Sequence, residues 1–219
     1  MAANPPVPPF RLLGNLLCLD FVNTEVISHG ARADRLGAFA DLMRWAEAAA
    51  VIPEAEARAA VRRWGGTKPG DAAIEAARVL RAPLRALAEA LAAGKAAPPA
   101  AVPAINDVLA TGASVLRLAR RGAGYETSRH VLEESATSVL VPVAESAAWL
   151  LERGDHALVR RCENPACILF FYDTTKNKRR RWCAMDGCGS RAKAAAYYQR
   201  TRAAQAAGTA PAPSGRAPL

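Results

Sequence analysis

Cys162-x4-Cys167 and Cys183-x4-Cys188 place four of the chain's five cysteines within 27 residues. Two close pairs joined by a 15-residue loop suit a tetrahedral ion with four thiolate ligands. Each pair grips one edge of the tetrahedron, and the loop brings the two edges together. Four protein ligands leave no position for water, so such a site is structural and not catalytic. Zinc is the first choice of ion, with a four-cysteine iron or iron–sulfur site as the metal alternative. Four unrelated buried cysteines form the bland alternative. His156, six residues before Cys162, is an outside candidate that a complete thiolate shell makes unnecessary. A domain of about 45 residues with few large apolar side chains needs a staple of this kind to fold. Cys18 stands apart in an apolar stretch and reads as a small buried hydrophobe.

Charge follows the cysteines. Residues 156–202 hold 11 Lys/Arg against Glu163, Asp173 and Asp186, a balance of +8 out of the chain's +9. A tetrathiolate site on a divalent ion carries −2 and attracts some of these cations as hydrogen-bond donors to sulfur. Lys176, Lys178, Arg179, Arg180, Arg181, Arg191, Lys193, Arg200 and Arg202 exceed that need. The excess is the electrostatic footprint expected for a polyanion, DNA first and RNA as the variant. A solvated basic helix that only covers the metal site is the plain alternative, and a protein–protein interaction module is the second functional one. The segment from Gly189 to Arg200 has the composition of a helix beginning at the last cysteine. Ile168–Tyr172 reads as a β segment, and Phe171 and Trp182 as a mini-core over the metal site.

The rest of the 219 residues reads as helix. Hydrophobic residues make up 51% of the chain and charged ones 22%, enough to bury a core, but aromatics are only 6%. Leu36, Phe39, Met43 and Ala46 recur at helical spacing. Pro53 opens a helix that Gly65-Gly66 stops, and Asp71 is the expected N-cap of a long Ala/Leu helix that Pro83 should kink or split. A short helix follows Pro98-Pro99. Residues 114–131 alternate around Arg121-Gly122-Ala123-Gly124 as a β-hairpin, and residues 133–152 return to helix. The expected architecture is a mainly α N-terminal domain with one β-hairpin over 10–153, a small treble-clef or zinc-ribbon-like finger over 156–202, and a disordered tail over 203–219.

Residues 162–202 resemble the CGNR zinc finger. The resemblance rests on Cys162, Cys167, Phe171, Asp173, Asn177, Arg180-Arg181-Trp182-Cys183, Met185, Cys188-Gly189, Arg191 and Lys193. Two positions depart from the family: Ser190 stands where its name motif has Asn, and Thr175 replaces its usual Ser while keeping the hydroxyl. Leu17-Cys18-Leu19-Asp20-Phe21-Val22-Asn23-Thr24 resembles the ABATE domain that precedes this finger. The resemblance implies a bacterial stress-induced transcription regulator, with a finger that binds DNA and a helical domain that senses a small-molecule effector.

Asp20, Asn23 and Thr24 either line a small-molecule pocket or cap and end the first helix. No phosphate loop and no nucleophile–base arrangement is readable, so an enzyme is not expected. The uncharged Pro-rich start, Met1–Pro9, is unlike a signal peptide, and no apolar run suits a membrane span. The expectation is a cytoplasmic protein, with Ala-rich helices that leave room for a homodimer.

Overall fold

The structure, a computed structural model, describes residues 10–112, 114–131 and 135–206. The chain begins as an arm over residues 10–15. Helix α1 (Leu17–Val22) follows, then strands β1 (Glu25–Ser28) and β2 (Ala31–Asp34) and helices α2 (Phe39–Ala48), α3 (Glu54–Trp64), α4 (Lys68–Ala92) and α5 (Ala101–Ala110). Strands β3 (Ser114–Arg121) and β4 (Gly124–Val131) precede helix α6 (Val141–Arg153). The finger comprises β5 (Val159–Arg161), β6 (Phe170–Tyr172), a π-turn over Met185–Gly189 and helix α7 (Ser190–Ala206).

The helical reading holds in outline, except that the helix expected over 133–152 begins only at Val141 after a 3-10 turn over Ser138–Leu140; the expected hairpin is present with Ser114 opposite Val131 and Arg121 opposite Gly124. Gly122 takes a positive φ at the first turn position, as a two-residue II′ turn requires. Two further antiparallel pairs were not expected: β1 with β2, and β5 with β6. The first turns through His29 and Gly30, both at positive φ, the requirement of a I′ turn. Thr67, and not Asp71, caps α4, accepting the Gly70 amide with its hydroxyl. Asp71 lies one turn in, where its charge favours the helix N-terminus. Pro83 does not split α4, which runs unbroken through it. Helix α7 extends to Ala206, four residues into the segment expected to be disordered; the remainder of that tail lies outside the described residues.

Helices α1, α4, α5 and α6 pack around one core. Its fully buried side chains include Phe21, Trp45, Leu36, Leu80 and Leu150, and the Phe21 and Trp45 rings meet edge-on at 5.1 Å. Val159 and Phe170 belong to this same core, although both lie in the finger. The arm closes over the finger as well: Gly14 accepts the Tyr172 amide at 2.7 Å, and the Asn15 side chain donates to the Tyr172 carbonyl at 3.0 Å. A Cβ on Gly14 would lie 2.7 Å from the Asp20 amide nitrogen, so only glycine lets the arm pass so close to α1.

Two arginines one turn apart on α4 tie these parts together. Arg81 grips Asp34 with both guanidinium nitrogens at 2.7 and 2.5 Å and donates to the Thr24 hydroxyl at 2.7 Å. Arg85 pairs with Glu25 at 2.7 Å and donates to the carbonyls of Val22 and, in the finger, Ile168. Both arginines are buried, and burial holds the Arg85 guanidinium below its usual range despite the Glu25 carboxylate beside it. The sequence reading missed both, because nothing in local spacing marks a helical arginine as turned inward.

Candidate metal centre and basic face

The finger strands bring the two cysteine pairs together. Cys162 follows β5 directly, and its amide donates to the Leu169 carbonyl just before β6. The Cys167 amide closes a turn on Asn164. Cys183 follows Trp182, and Cys188 lies in the π-turn that runs into α7. All four cysteines are buried, and their sulfurs lie within 4.8 Å of one another. Cys167 Sγ and Cys183 Sγ are 3.8 Å apart, Cys183 Sγ and Cys188 Sγ 3.6 Å. A tetrahedron with Zn–S bonds of about 2.3 Å has edges of about 3.8 Å. The donor set and its spacing therefore fit one structural Zn2+. His156 has no place in it: its Nε2 lies 3.1 Å from the Leu150 carbonyl.

Left to themselves, four sulfurs this close cannot all carry charge. Hydrogen bonds from Cys167 and Cys183 pull the Cys162 thiol far down, while the same contacts and burial push Cys183 up, and Cys167 up to about 11. A divalent ion removes this conflict by holding all four as thiolates. The surroundings are arranged for that charge. The Cys183 amide points to Cys162 Sγ at 3.4 Å, the Asn164 side chain to Cys188 Sγ at 3.2 Å, and the Arg191 guanidinium to Cys188 Sγ at 3.4 Å. Gly189 completes the turn; a Cβ there would lie 2.5 Å from the Met185 sulfur. Phe171 is fully buried among the cysteines, and Trp182 packs against them half-buried, together with Leu13 of the arm and Val26 of β1. The mini-core is thus partly borrowed from the N-terminal half.

The nine cations grouped by charge divide into three kinds. Arg180 turns inward. Its guanidinium lies 4.0 Å from the Phe171 ring centroid and donates to the carbonyls of Leu13, Trp182 and Cys183, and burial works against its charge. Arg191 is engaged with Cys188, and the Lys178 ammonium with the Asp173 carbonyl at 3.2 Å. Arg181 is exposed but paired with Glu163 at 2.6 Å and laid over Trp182. Lys176, Arg179, Lys193, Arg200 and Arg202 are exposed and make no ion pair among the described residues. Arg161 of β5 is exposed as well and was not in the expected set.

Asp173 organises the turn between β6 and the basic run. It is fully buried and accepts from the Thr175 hydroxyl at 2.5 Å and amide at 3.0 Å, and from the Arg180 amide at 2.9 Å. Burial would raise its carboxyl, but these donors outweigh it and hold the group below the usual carboxylate range. The Thr175 hydroxyl thus helps fix Asp173, and the Ser190 hydroxyl donates to the Met185 carbonyl at 2.8 Å.

Asp20, Asn23 and Thr24 take structural roles and also form part of a cavity wall. Asp20 accepts the Gly14 amide at 2.7 Å; burial pushes its carboxyl up to about 6 against that bond and the Arg180 charge. Asn23 holds the Phe170 backbone, and Thr24 donates to the Phe21 carbonyl at the end of α1. The cavity, of about 460 Å3, lies between the arm, the β1–β2 hairpin and the cysteine knuckles. No described helix is long and apolar enough to cross a membrane.

Residues 15–154 match the ABATE family, whose description reads "Putative stress-induced transcription regulator". Residues 159–201 match the CGNR zinc finger. None of the curated proteins compared with the chain matches it. The first match spans more than half of the 219 residues, and the four cysteines of the second close into one cluster: the chain belongs to the ABATE family and carries a CGNR zinc finger behind that domain.

Proposed function

We propose that this protein is a cytoplasmic, non-enzymatic transcription regulator whose zinc-organised finger binds duplex DNA and whose N-terminal domain senses a small molecule. The observation that carries the reading is the set of exposed cations without an ion pair among the described residues, on the 176–179 turn held by Asp173 and on α7, which Arg191 ties to Cys188. Arg191 ties the first turn of α7 to Cys188, so the ion fixes the direction in which Lys193, Arg200 and Arg202 project. Tyr197 and Tyr198 are exposed on the same helix, 61% and 67%, and offer aromatic surface beside these cations. Phosphate contacts position such a helix, and a few arginines read base edges. Arg180 is a strut of the finger in this reading and not a phosphate contact.

The test is binding of the zinc-loaded protein to random duplex DNA across a salt series, with a zinc-stripped control. The expected result is salt-dependent binding that is lost with the metal. Lys193→Ala, Arg200→Ala and Arg202→Ala should each flatten the log–log salt slope by roughly one unit if the residue meets a phosphate. Unchanged affinity in the triple variant would move the finger to the protein-interaction reading. Preferential competition by single- or double-stranded RNA would move it to RNA.

A further inference from the structure

The cavity between the arm, the β1–β2 hairpin and the finger has an unbalanced wall. Asn23 and Thr24 have their polar atoms engaged within the protein. Asp20 is the one acid among its lining residues, and it faces the Gly14 amide. What is left over is donors. Trp45 forms part of the wall, is fully buried, and its indole Nε1–H has no hydrogen-bond partner among the described residues. Orphaned buried donors are rare in folded proteins, because a donor taken out of water without a partner is costly. Arg35 lines the same cavity, is exposed and makes no ion pair among the described residues, and His29 of the hairpin turn lines it too. The remaining wall is apolar, with Phe10, Leu12, Val26, Ile27 and Leu169.

A wall of unpaired donors and apolar side chains selects its occupant. It favours an acceptor-rich, negatively charged head on a hydrophobic body. A volume of about 460 Å3 is that of a small-molecule site. We propose that this cavity binds a small organic acid, its carboxylate held by Arg35 and the Trp45 indole and its apolar body laid against Phe10, Leu12 and Leu169. The proposal deepens the sensing reading above and rests on it. It places the effector site at the junction of the two halves and not within the helical core. Cys167, Cys183, Cys188 and Arg191 also line the cavity, so an occupant bears on the knuckle from which α7 projects. The −2 of the zinc tetrathiolate is offset locally by Arg180 and Arg191, which assigns the anionic head to the hairpin side, where Arg35 and His29 are.

The test is a thermal-shift and tryptophan-fluorescence titration of the full-length zinc protein without DNA. The probes are benzoate and octanoate, with benzamide and octanol as uncharged counterparts. The expected result is a saturable rise in melting temperature and a fluorescence change with the acids, and weak or no response to the uncharged pair. Arg35→Gln, an exposed position, should weaken acid binding by about tenfold, the loss of one charge-assisted hydrogen bond. Trp45→Phe keeps an aromatic side chain but removes the N–H with the pyrrole ring; with zinc content unchanged as the check on folding, it should weaken binding several-fold. No saturable response to either acid up to its solubility limit would overturn the proposal. So would equal responses to the uncharged pair, or undiminished binding in Arg35→Gln. Because DNA is left out, failure here is distinguishable from failure of the finger to bind DNA.

Discussion

The side-chain amide of Asn23 pairs with the backbone of Phe170 in both directions: it donates to the Phe170 carbonyl at 2.8 Å and accepts the Phe170 amide at 2.9 Å. One side chain from the end of α1 thus does for β6 what a neighbouring strand would do. Both partners are buried, so water cannot replace either bond. The finger is docked on the helical domain through this clasp, through Arg85 on the Ile168 carbonyl, and through the Phe170 ring in the common core.

Asn23→Leu keeps the approximate volume and removes both bonds. It leaves a buried N–H and a buried C=O without partners, which should cost about 2–4 kcal/mol. A urea melt of the zinc-loaded protein measures this. Zinc content should stay at one ion per chain, because Asn23 touches no sulfur, and hydrogen exchange should quicken first at Phe170 and Phe171. A melt indistinguishable from the parent would mean the clasp contributes nothing to docking.

This clasp marks the boundary of what the sequence makes legible. The cysteine site was readable because its ligands are close in sequence and their spacing alone implies a tetrahedron. The helices and the β3–β4 hairpin were readable from periodicity and from Gly122. Asn23 and Phe170 are 147 residues apart, and no local pattern announces their meeting. The β1–β2 hairpin escaped because its strands are four residues long and its turn is His29-Gly30, outside the usual Asn-Gly and Asp-Gly signals. Charge counting found the basic segment correctly but not the direction of each cation. Arg180, Arg191 and Lys178 turn toward Phe171, Cys188 and Asp173, and only tertiary structure decides that. Asn23 and Thr24 lie at the end of α1, whereas Asp20 sits within it and holds the Gly14 amide, and all three also line the cavity, which local spacing does not reveal.

Asp20 gives the protein a pH dependence of unusual sign. Burial pushes its folded-state carboxyl up to about 6, whereas in the unfolded chain it titrates near the ordinary value of about 4. Between these values the folded state binds more protons than the unfolded state. The contribution of Asp20 to stability is therefore complete below pH ~4 and is lost as pH rises through ~6. Urea midpoints across this range should show a falling component that Asp20→Asn removes. The same curve in parent and variant would show that Asp20 titrates normally.

Asp34 behaves oppositely. Burial would raise its carboxyl, but the two-pronged bond from Arg81 and the Leu36 amide outweigh it and hold the group below its ordinary range. Its contribution is present above pH ~4 and fades as pH falls through the lowered value. Arg81→Met removes the two-pronged bond and leaves Asp34 with only the Leu36 amide and the more distant Arg78 at 3.6 Å. A loss of about 3 kcal/mol at neutral pH is expected, with a flatter acid limb in the stability curve. Full stability at pH 7 in Arg81→Met would show that packing of α4, and not the charge pair, holds the β1–β2 hairpin.

The donors around the thiolates should control how firmly zinc is held. Asn164→Ala and Arg191→Ala each remove a hydrogen bond to Cys188 Sγ without touching a ligand. Partners of this kind typically change metal affinity by about 10–100-fold. Competition with a chromophoric chelator should show zinc released more readily from both variants, and Cys183→Ser should fail to retain it. Parent-like retention in both donor variants would assign the affinity to the four sulfurs alone.

Arg180 and Arg200 carry the same charge in the same finger and should fail in different ways. Arg180 lies over the Phe171 ring and holds the Leu13, Trp182 and Cys183 carbonyls. Arg180→Ala removes the stacking and leaves those carbonyls short of a donor, so it should lower stability by about 2–3 kcal/mol and loosen the arm. Where the variant remains folded, its DNA salt slope should equal the parent's, because this guanidinium meets no phosphate. Arg200 is exposed on α7 without an ion-pair partner among the described residues. Arg200→Ala should leave the urea melt within about 0.5 kcal/mol of the parent while reducing the salt slope by roughly one unit. The paired measurement separates a strut from a contact. A reduced slope in folded Arg180→Ala would return that residue to the DNA face, and an unchanged slope in Arg200→Ala would take α7 away from it.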